Sequence, residues 1–256
     1  MSRNNTAGFL LICLLLLCFC GCSGLKKPHT KISRTEGHAL VERIKAENRK
    51  ISTCKGKGWL TLSSPGQATQ KFRVAFAAAL PDRIRMTLLS GGVPAETVAA
   101  DGQTVTFVSH TGQHKRYTIR SDNPSLEKLV SIPVTARELI ALFAGLIPLH
   151  NFDSAAVFQE QSPGKTVLVL NRQWKSTTQK LYLDEKKKVY RFDILDSGKE
   201  PLYSVRLSDF KQYSALKVHT TSLITDSHGR RLHLNLTDYQ ANIPLDDAIF
   251  TLPPTE

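Results

Sequence analysis

The residues best suited to covalent chemistry are the cysteines near the amino terminus. The sequence Cys20-Gly21-Cys22 follows an uninterrupted apolar stretch from Gly8 to Phe19, and Arg3 is the only charged residue before it. This order is typical of a cleaved signal peptide, because roughly a dozen apolar residues are fewer than the ~20 that span a bilayer as a helix. A small residue directly before a cysteine is what a lipoprotein peptidase requires, so we expect acylation of Cys22 after Gly21. A soluble secreted protein is the alternative.

Cleavage before Cys22 divides the chain into three parts. Residues 1–21 are then a lipoprotein signal peptide, residues 22–36 a lipidated cysteine with a flexible tether, and residues 37–256 the folded domain. The tether is rich in cations and poor in apolar groups, so it has little surface to bury. Ser23 stands where an aspartate would resemble the signal for retention in the inner membrane. The sequence therefore favours lipid anchoring in the outer membrane, on its periplasmic face.

No constellation of catalytic groups is evident in the sequence. His110 and His114 flank a hairpin turn and have no acidic or cysteine ligand beside them, so solvated histidines are favoured over a metal site. Asp246 and Asp247 could pair for acid–base work, but an acidic turn after Pro244 is the favoured interpretation. Without a nucleophile elbow, a Walker loop or a Rossmann fingerprint, the sequence predicts no enzyme, no cofactor and no metal.

The charge of the chain is strongly basic, with a formal value of +12. On an exported protein this favours anionic lipid head groups, over a Debye length of about 8 Å at physiological salt, and it makes nucleic acid a poor partner. Simple solvation of exposed strand faces is the favoured explanation of most of these charges. After cleavage and acylation of Cys22, Cys54 is the only free cysteine, so the domain must be held together by its core without an intrachain disulfide.

Alternation of apolar and polar residues dominates the domain after one amphipathic helix over residues 37–50. Such alternation with a period of two predicts antiparallel strands with one buried and one wet face. Turn signals separate about a dozen such runs, which indicates a large curved sheet. The apolar positions predicted to face inward and line a cavity are Phe72, Val74, Phe76, Ile84, Met86 and Leu88.

One apolar segment, called the lid below, interrupts the strands between Pro124 and Leu149. Its apolar residues fall at helical spacing, and Pro133 divides it into two pieces. A helix this apolar must be covered, and the concave face of a curved sheet is the natural place. The lid residues predicted to face the cavity are Leu139, Leu142, Phe143 and Leu146. For any one of the strand or lid residues ordinary core packing is the favoured interpretation, and only the set indicates a cavity.

Several short motifs resemble the lipoprotein-localisation family of LolA and LolB, and LolB in particular. They are PDRIRMTLL at residues 81–89 followed by GGVPAET at 91–97, then LVSIPV at 129–134 and LIALFAGLIP at 139–148, and finally NIPL at 242–245 with Phe250. The resemblance extends over most of residues 37–253. It implies a mainly β fold with helices, an open antiparallel half-barrel of about 11–13 strands with apolar helices covering its concave face.

The resemblance also implies a function. Members of this family shield the acyl chains of lipoproteins in an apolar interior, and LolB receives them from the soluble carrier LolA. We therefore expect acylated lipoproteins or another lipid as ligand, a LolA-like carrier as partner, and contact with the membrane surface. The matching membrane-transfer loop is Gly92, Val93 and Pro94, with Val93 where LolB has leucine. A membrane-tethered protein-interaction or structural module is the alternative.

Overall fold

The computed structural model describes residues 31–112, 115–160, 164–173, 177–213 and 216–253, with side chains from Thr35 onward. Cys22, residues 1–30 and His114 therefore lie outside the described residues. The chain from Lys31 to Glu256 forms one compact unit, and the described hydrophobic core lies within it. We therefore expect this unit to fold without the segment that precedes it.

Strands make up most of the described chain. Helix α1 spans Arg34–Asn48, α2 spans Glu127–Val130, α3 spans Ala136–Phe143, and a 3-10 helix spans Asp247–Phe250. None of the helices in the described residues has the length and apolar character needed to cross a membrane. The strands are β1 (Lys31–Ser33), β2 (Thr53–Ser63), β3 (Gln70–Ala79), β4 (Arg83–Ser90), β5 (Val93–Asp101), β6 (Thr104–Ser109), β7 (Arg116–Arg120), β8 (Ser154–Gln159), β9 (Thr166–Arg172), β10 (Thr177–Leu183), β11 (Val189–Leu195), β12 (Pro201–Tyr213), β13 (Leu216–Asp226) and β14 (Arg231–Ala241).

All of these strands form a single open sheet of 14 strands in the order β1-β8-β9-β10-β11-β12-β13-β14-β2-β3-β4-β5-β6-β7. Each half, β2–β7 and β8–β14, is a meander, and the halves join where β14 pairs with β2. The edges of the sheet are β1 and β7. The predicted fold class, an open antiparallel half-barrel with few helices, is confirmed.

The start of the domain differs from the prediction. Strand β1 lies within the segment expected to be tether, where it pairs with β8, and α1 begins at Arg34 rather than at residue 37. Gly37 allows the close approach of α1 to β8, since a Cβ there would lie 2.9 Å from the backbone of Ala155. Backbone pairing rather than apolar burial orders this segment, and the hydrophobic pattern carries no sign of it.

The hydrophobic core lies between the concave face of the sheet and the lid. Alternate residues of β4 are buried, as predicted, and the same holds for Leu232, Leu234 and Leu236 of β14. At the centre, the ring of Phe143 in α3 packs against that of Phe76 in β3, with centroids 4.9 Å apart and an angle of 55° between the planes. Helix α3 is therefore part of the core.

Truncation of the central ring tests this packing. We expect Phe143→Ala to lower the free energy of unfolding by about 3–5 kcal/mol, because it removes a fully buried ring and leaves a cavity. The measurement is urea denaturation of residues 31–256, with Val93→Ala, at an exposed position, as the control. A loss below about 1 kcal/mol for Phe143→Ala would contradict a core role for α3.

Candidate functional site

Helix α3 begins at a capping box. The backbone N–H of Thr135 donates to Glu138 Oε2 at 2.7 Å, and the backbone N–H of Glu138 donates back to Thr135 Oγ1 at 3.4 Å. These bonds satisfy donors that a helix leaves unpaired at its amino end. They fix the start of α3 and turn the Glu138 side chain back towards it.

The Glu138 carboxylate is buried and joins separate parts of the chain. Its Oε1 atom accepts hydrogen bonds from the hydroxyl of Tyr203 on β12 and from Nε2 of His150, the latter at 2.5 Å. Gln179 on β10 holds the same loop, because it accepts from the backbone N–H of His150 at 3.0 Å and donates to the Pro148 carbonyl at 2.8 Å. The network attaches both flanks of α3 to the second half of the sheet.

The protonation of this network follows from its contacts. Burial alone would raise the pKa of Glu138, but hydrogen bonds and charge from His150, with bonds from Tyr203 and Thr135, outweigh it and lower the pKa. Burial and the Glu138 carboxylate raise the pKa of Tyr203 well above its ordinary value. Glu138 is therefore ionised and Tyr203 protonated at neutral pH, which is the state in which their hydrogen bond forms.

The carboxyl end of α3 is equally well held. The hydroxyl of Tyr239 on β14 donates to the Ala144 carbonyl at 2.8 Å. Gly145 then turns the chain with φ +71°, and a Cβ there would lie 2.7 Å from Cβ of Val218, so the site suits only glycine. Helix α3 is thus fixed at its start, its middle and its end.

Helix α2 is attached much more weakly. It has only four residues, none of them buried, and it ends at Ser131 in a left-handed conformation. Its described contacts to the rest of the lid include a hydrogen bond from the Leu126 N–H to the Val134 carbonyl at 2.8 Å. The side chain of Leu129 is among the exposed large hydrophobic groups. The side chains of α2 are thus less buried than those of α3, although Leu126 and Ile132 on either side of α2 belong to the core.

An apolar cavity of about 70 Å³ lies between α2, the start of α3 and strands of the first half of the sheet. Glu96, an exposed residue, is the only carboxylate among its lining residues. The cavity is well below the ~300–1,000 Å³ of common ligand pockets. A ligand of that size does not fit this cavity as the structure has it. The cavity is lined by Leu60, Leu62, Ile84, Met86, Leu88, Glu96, Val98, Ala100, Val105, Phe107, Leu126, Leu129, Val130, Ala136, Leu139 and Ile140.

The residues predicted to line a cavity fall into three groups. Ile84, Met86, Leu88 and Leu139 line the apolar cavity under α2. Leu146 lines two other pockets, of about 240 and 820 Å³, on the far side of α3. The rest line none of these three cavities and pack in or against the core, with Phe72 only partly buried; they are Phe72, Val74, Phe76, Leu142 and Phe143. The ring pair at the centre fills the space that separates these cavities.

Of the predicted transfer loop, Gly92 lies in the tight turn between β4 and β5, and Val93 and Pro94 are the first two residues of β5. Gly91 and Gly92 adopt φ of +58° and +90°, values that favour glycine. Val93 is 62% exposed, the largest fraction among the exposed large hydrophobic side chains of the described residues, and Pro94 is exposed beside it. The turn therefore presents an apolar side chain to solvent at one end of the first half-sheet.

The other candidate groups have structural partners. His110 Nε2 lies 2.8 Å from Thr97 Oγ1, and the described residues contain no group of three or more His, Cys, Asp or Glu side chains arranged for a metal. Asp246 caps the 3-10 helix by accepting from the N–H of Ala248, and Asp247 pairs with Arg83. The acidic-turn interpretation of these aspartates fits the structure.

Sequence reasoning missed the polar network. Glu138, His150 and Tyr203 had no predicted role, because a polar residue in an apolar segment looks like the solvent face of a helix. One signal was present, since Thr135 with Glu138 three residues later is the sequence signature of a capping box. Nothing in the sequence indicates that Tyr203, 65 residues further on, reaches this carboxylate.

The fold and the site together define a class of protein, an open half-barrel whose apolar interior is covered by a short lid. No protein-family model matches this chain, and no curated protein matches it. Solved structures do share its fold. A LolA superfamily protein from Nitrosomonas europaea aligns with a TM-score of 0.57 and 16% identity, covering 84% of this chain and 97% of that one.

Two further structures are similar. A DUF1329 family protein from Desulfovibrio piger aligns with a TM-score of 0.62 and 11% identity, covering 85% of this chain and 97% of that one. A candidate outer membrane lipoprotein-sorting protein domain from Vibrio parahaemolyticus aligns with a TM-score of 0.50 and 14% identity, over 85% and 97% of the two chains. At these identities the likeness establishes a shared LolA-like fold.

Replacement of the buried carboxylate tests the polar network. Folding lowers the pKa of Glu138 below its ordinary value of 4.5. The ionised carboxylate therefore contributes fully to the free energy of unfolding above pH 4.5, and this contribution is lost as the pH falls through the lower pKa of the folded state. We expect Glu138→Gln to cost about 2 kcal/mol or more of unfolding free energy at pH 7, and the difference from wild type to shrink at acid pH. Urea denaturation across pH measures it, with exposed Glu127→Gln as control. A pH-independent difference would show that the charge is not responsible.

Proposed function

We propose that this protein is a LolB-like, outer-membrane-anchored lipoprotein that binds the acyl chains of lipoproteins or other lipids in its half-barrel and helps to insert them in the outer membrane. The observation that carries the proposal is the apolar cavity beneath α2, the weakly attached part of the lid. The LolA-like fold supports it, since the names of the similar structures include a LolA superfamily protein and a candidate lipoprotein-sorting domain.

The energetics of such binding depend on apolar burial alone. Each methylene group moved from water into the interior contributes ~0.8 kcal/mol, so several methylenes offset the loss of the few contacts that hold α2. The first half of the sheet already presents Ile84, Met86 and Leu88 to the cavity. No catalytic group is needed, and the proposed activity is that of a carrier rather than an enzyme.

Anchoring and transfer complete the proposal. Acylation at Cys22 places the domain at the periplasmic face of the outer membrane on a short basic segment, within reach of a LolA-like carrier. The exposed Val93, on its glycine turn, then contacts the lipid surface that receives the cargo. A single valine buries little surface, so this contact favours release at the membrane without holding the domain there.

A second candidate function is supported by the packing of the interior. The ring pair of Phe76 and Phe143 fills the centre, and the cavity under α2 has only about 70 Å³. A filled interior suits a membrane-tethered module that holds a protein partner on its sheet. The two functions differ in whether the purified domain takes up lipid.

Lipid uptake distinguishes the two functions. Residues 31–256, purified from a bacterial periplasm, are expected to carry phospholipid or acylated protein in native mass spectra and to bind the neutral lipid 1-dodecanoylglycerol. Leu129→Glu places a carboxylate in the cover of the cavity and should weaken that binding by at least about tenfold, because the charge would have to be desolvated. Val93→Glu, at an exposed position that lines none of the three cavities, is the control. A folded domain that takes up no lipid would favour the interaction module.

The transfer loop is tested separately from binding. Val93→Glu should leave the affinity for 1-dodecanoylglycerol unchanged, since Val93 does not line the cavity, while it slows transfer of a bound acylated protein to vesicles of phosphatidylethanolamine and phosphatidylglycerol. Co-sedimentation of cargo with the vesicles over time measures the rate, and Val93→Leu, which restores more apolar surface, serves as the matched control. Equal rates for all three proteins would exclude a role for this turn.

A further inference from the structure

A second pocket, of about 240 Å³, lies in the other half of the molecule. It is bounded by α1, by the turn that leads into β11, by the β12–β13 hairpin and by the lid just after α3. Its walls include the apolar side chains of Leu40, Ile44, Val189 and Val218. It shares no lining residue with the cavity under α2, and the proposed acyl carrier function makes no use of it.

The rim of this pocket is strongly basic. Five cationic residues line it, and Glu47 is the only carboxylate among the lining residues, where it is already paired with Lys50 at 2.8 Å. Lys188 and Lys217 are both exposed, and their ammonium groups interact with each other. Neither has an ion pair among the described residues, although the Asp184 carboxylate, which accepts from the backbone N–H of Lys188 at 2.8 Å, lies nearby. Desolvation and the ammonium of Lys217 lower the pKa of Lys188. Two neighbouring ammonium groups repel each other, and an anion between them removes that cost.

An unpartnered buried group lies at the same pocket. His219, which lines it, is only 2% exposed, and its Nε2 atom has no hydrogen-bond partner. Burial lowers the pKa of His219 to about 4, so the ring is neutral at pH 7. A buried polar atom without a partner costs about 1–3 kcal/mol, and a ligand oxygen would supply the missing partner.

Strand β13 buries His219 in addition to its regular inward set. Val218, Thr220, Ser222 and Ile224 form the alternating buried residues of β13, and His219 is buried between the first two of them. Phe210, partly exposed, packs edge-on against His219 with ring centroids 6.3 Å apart. A polar ring is therefore buried at a position where regular alternation predicts exposure.

We propose that this pocket is a second ligand site, which binds an amphiphile with an acidic head group, its phosphate or carboxylate between Lys188 and Lys217 and its first methylenes against the apolar walls. Apolar walls with a cationic rim match a molecule that has both parts, whereas an inorganic anion would leave the walls unused. The diacylglyceryl group of a lipoprotein carries no such acid. The site therefore selects free fatty acids or phosphate-bearing lipids, independently of the cavity under α2.

Calorimetric titration of residues 31–256 with monomeric dodecyl phosphate tests the site. The double variant Lys188→Gln/Lys217→Gln should bind it at least about tenfold more weakly, since charge-assisted hydrogen bonds are lost. Lys55→Gln/Lys57→Gln removes the same charge from exposed positions on β2 that line none of the three cavities, and should leave the affinity unchanged. Dodecanoate should behave as dodecyl phosphate does, and inorganic phosphate alone should bind at least about tenfold more weakly than either.

Equal affinities for the two double variants would overturn the proposal, and so would inorganic phosphate that binds as tightly as dodecyl phosphate. Neutral 1-dodecanoylglycerol separates this site from the cavity under α2. Leu129→Glu should weaken the binding of the neutral lipid and leave the affinity for dodecyl phosphate unchanged. Lys188→Gln/Lys217→Gln should weaken the binding of dodecyl phosphate and leave the affinity for the neutral lipid unchanged. A wild-type protein that binds dodecyl phosphate but no neutral lipid would contradict the carrier function and leave the proposal of a second site intact.

Discussion

The carboxylate of Glu138 determines how the lid is attached to the sheet. It accepts hydrogen bonds from the backbone of Thr135 before α3, from His150 after it, and from Tyr203 on β12. Leaving a buried carboxylate without hydrogen-bond partners costs about 1–3 kcal/mol or more, so these bonds favour the arrangement in which the three segments meet. Apolar burial favours covering the concave face, but it is non-directional and does not select one orientation of α3 on the sheet. The hydrogen bonds of the Glu138 carboxylate select that orientation.

The two helices of the lid are attached to different extents. Helix α3 is held at its start by Glu138, at its centre by the Phe143 ring and at its end by Tyr239, whereas α2 has four residues and no buried side chain. The proposed carrier function therefore depends on outward movement of α2 over the cavity in the first half of the sheet. The pocket under α1 differs from this cavity, because it has a basic rim.

Much of this architecture is predictable from residue patterns, because alternation along a strand reports directly which face is buried. Ile84, Met86 and Leu88 show it for the sheet, and the apolar spacing around Leu139 shows it for the lid. Patterns fail where a polar group decides the structure. Glu138 and His219 are both buried, and the residues around them in the sequence do not indicate it. The pairing of β14 with β2 and the short strand β1 depend on backbone hydrogen bonds, which every residue can form.

Hydrogen–deuterium exchange with and without 1-dodecanoylglycerol tests most directly whether lipid enters beneath α2. In the free protein the amides of Leu129 and Val130, which donate to the Leu126 carbonyl, should exchange much faster than those of Leu139 and Ala144 in and after α3. Lipid should change exchange in α2 and leave α3 protected as before. Equal protection of the two helices, with no response of α2 to lipid, would contradict entry of acyl chains beneath a movable cover.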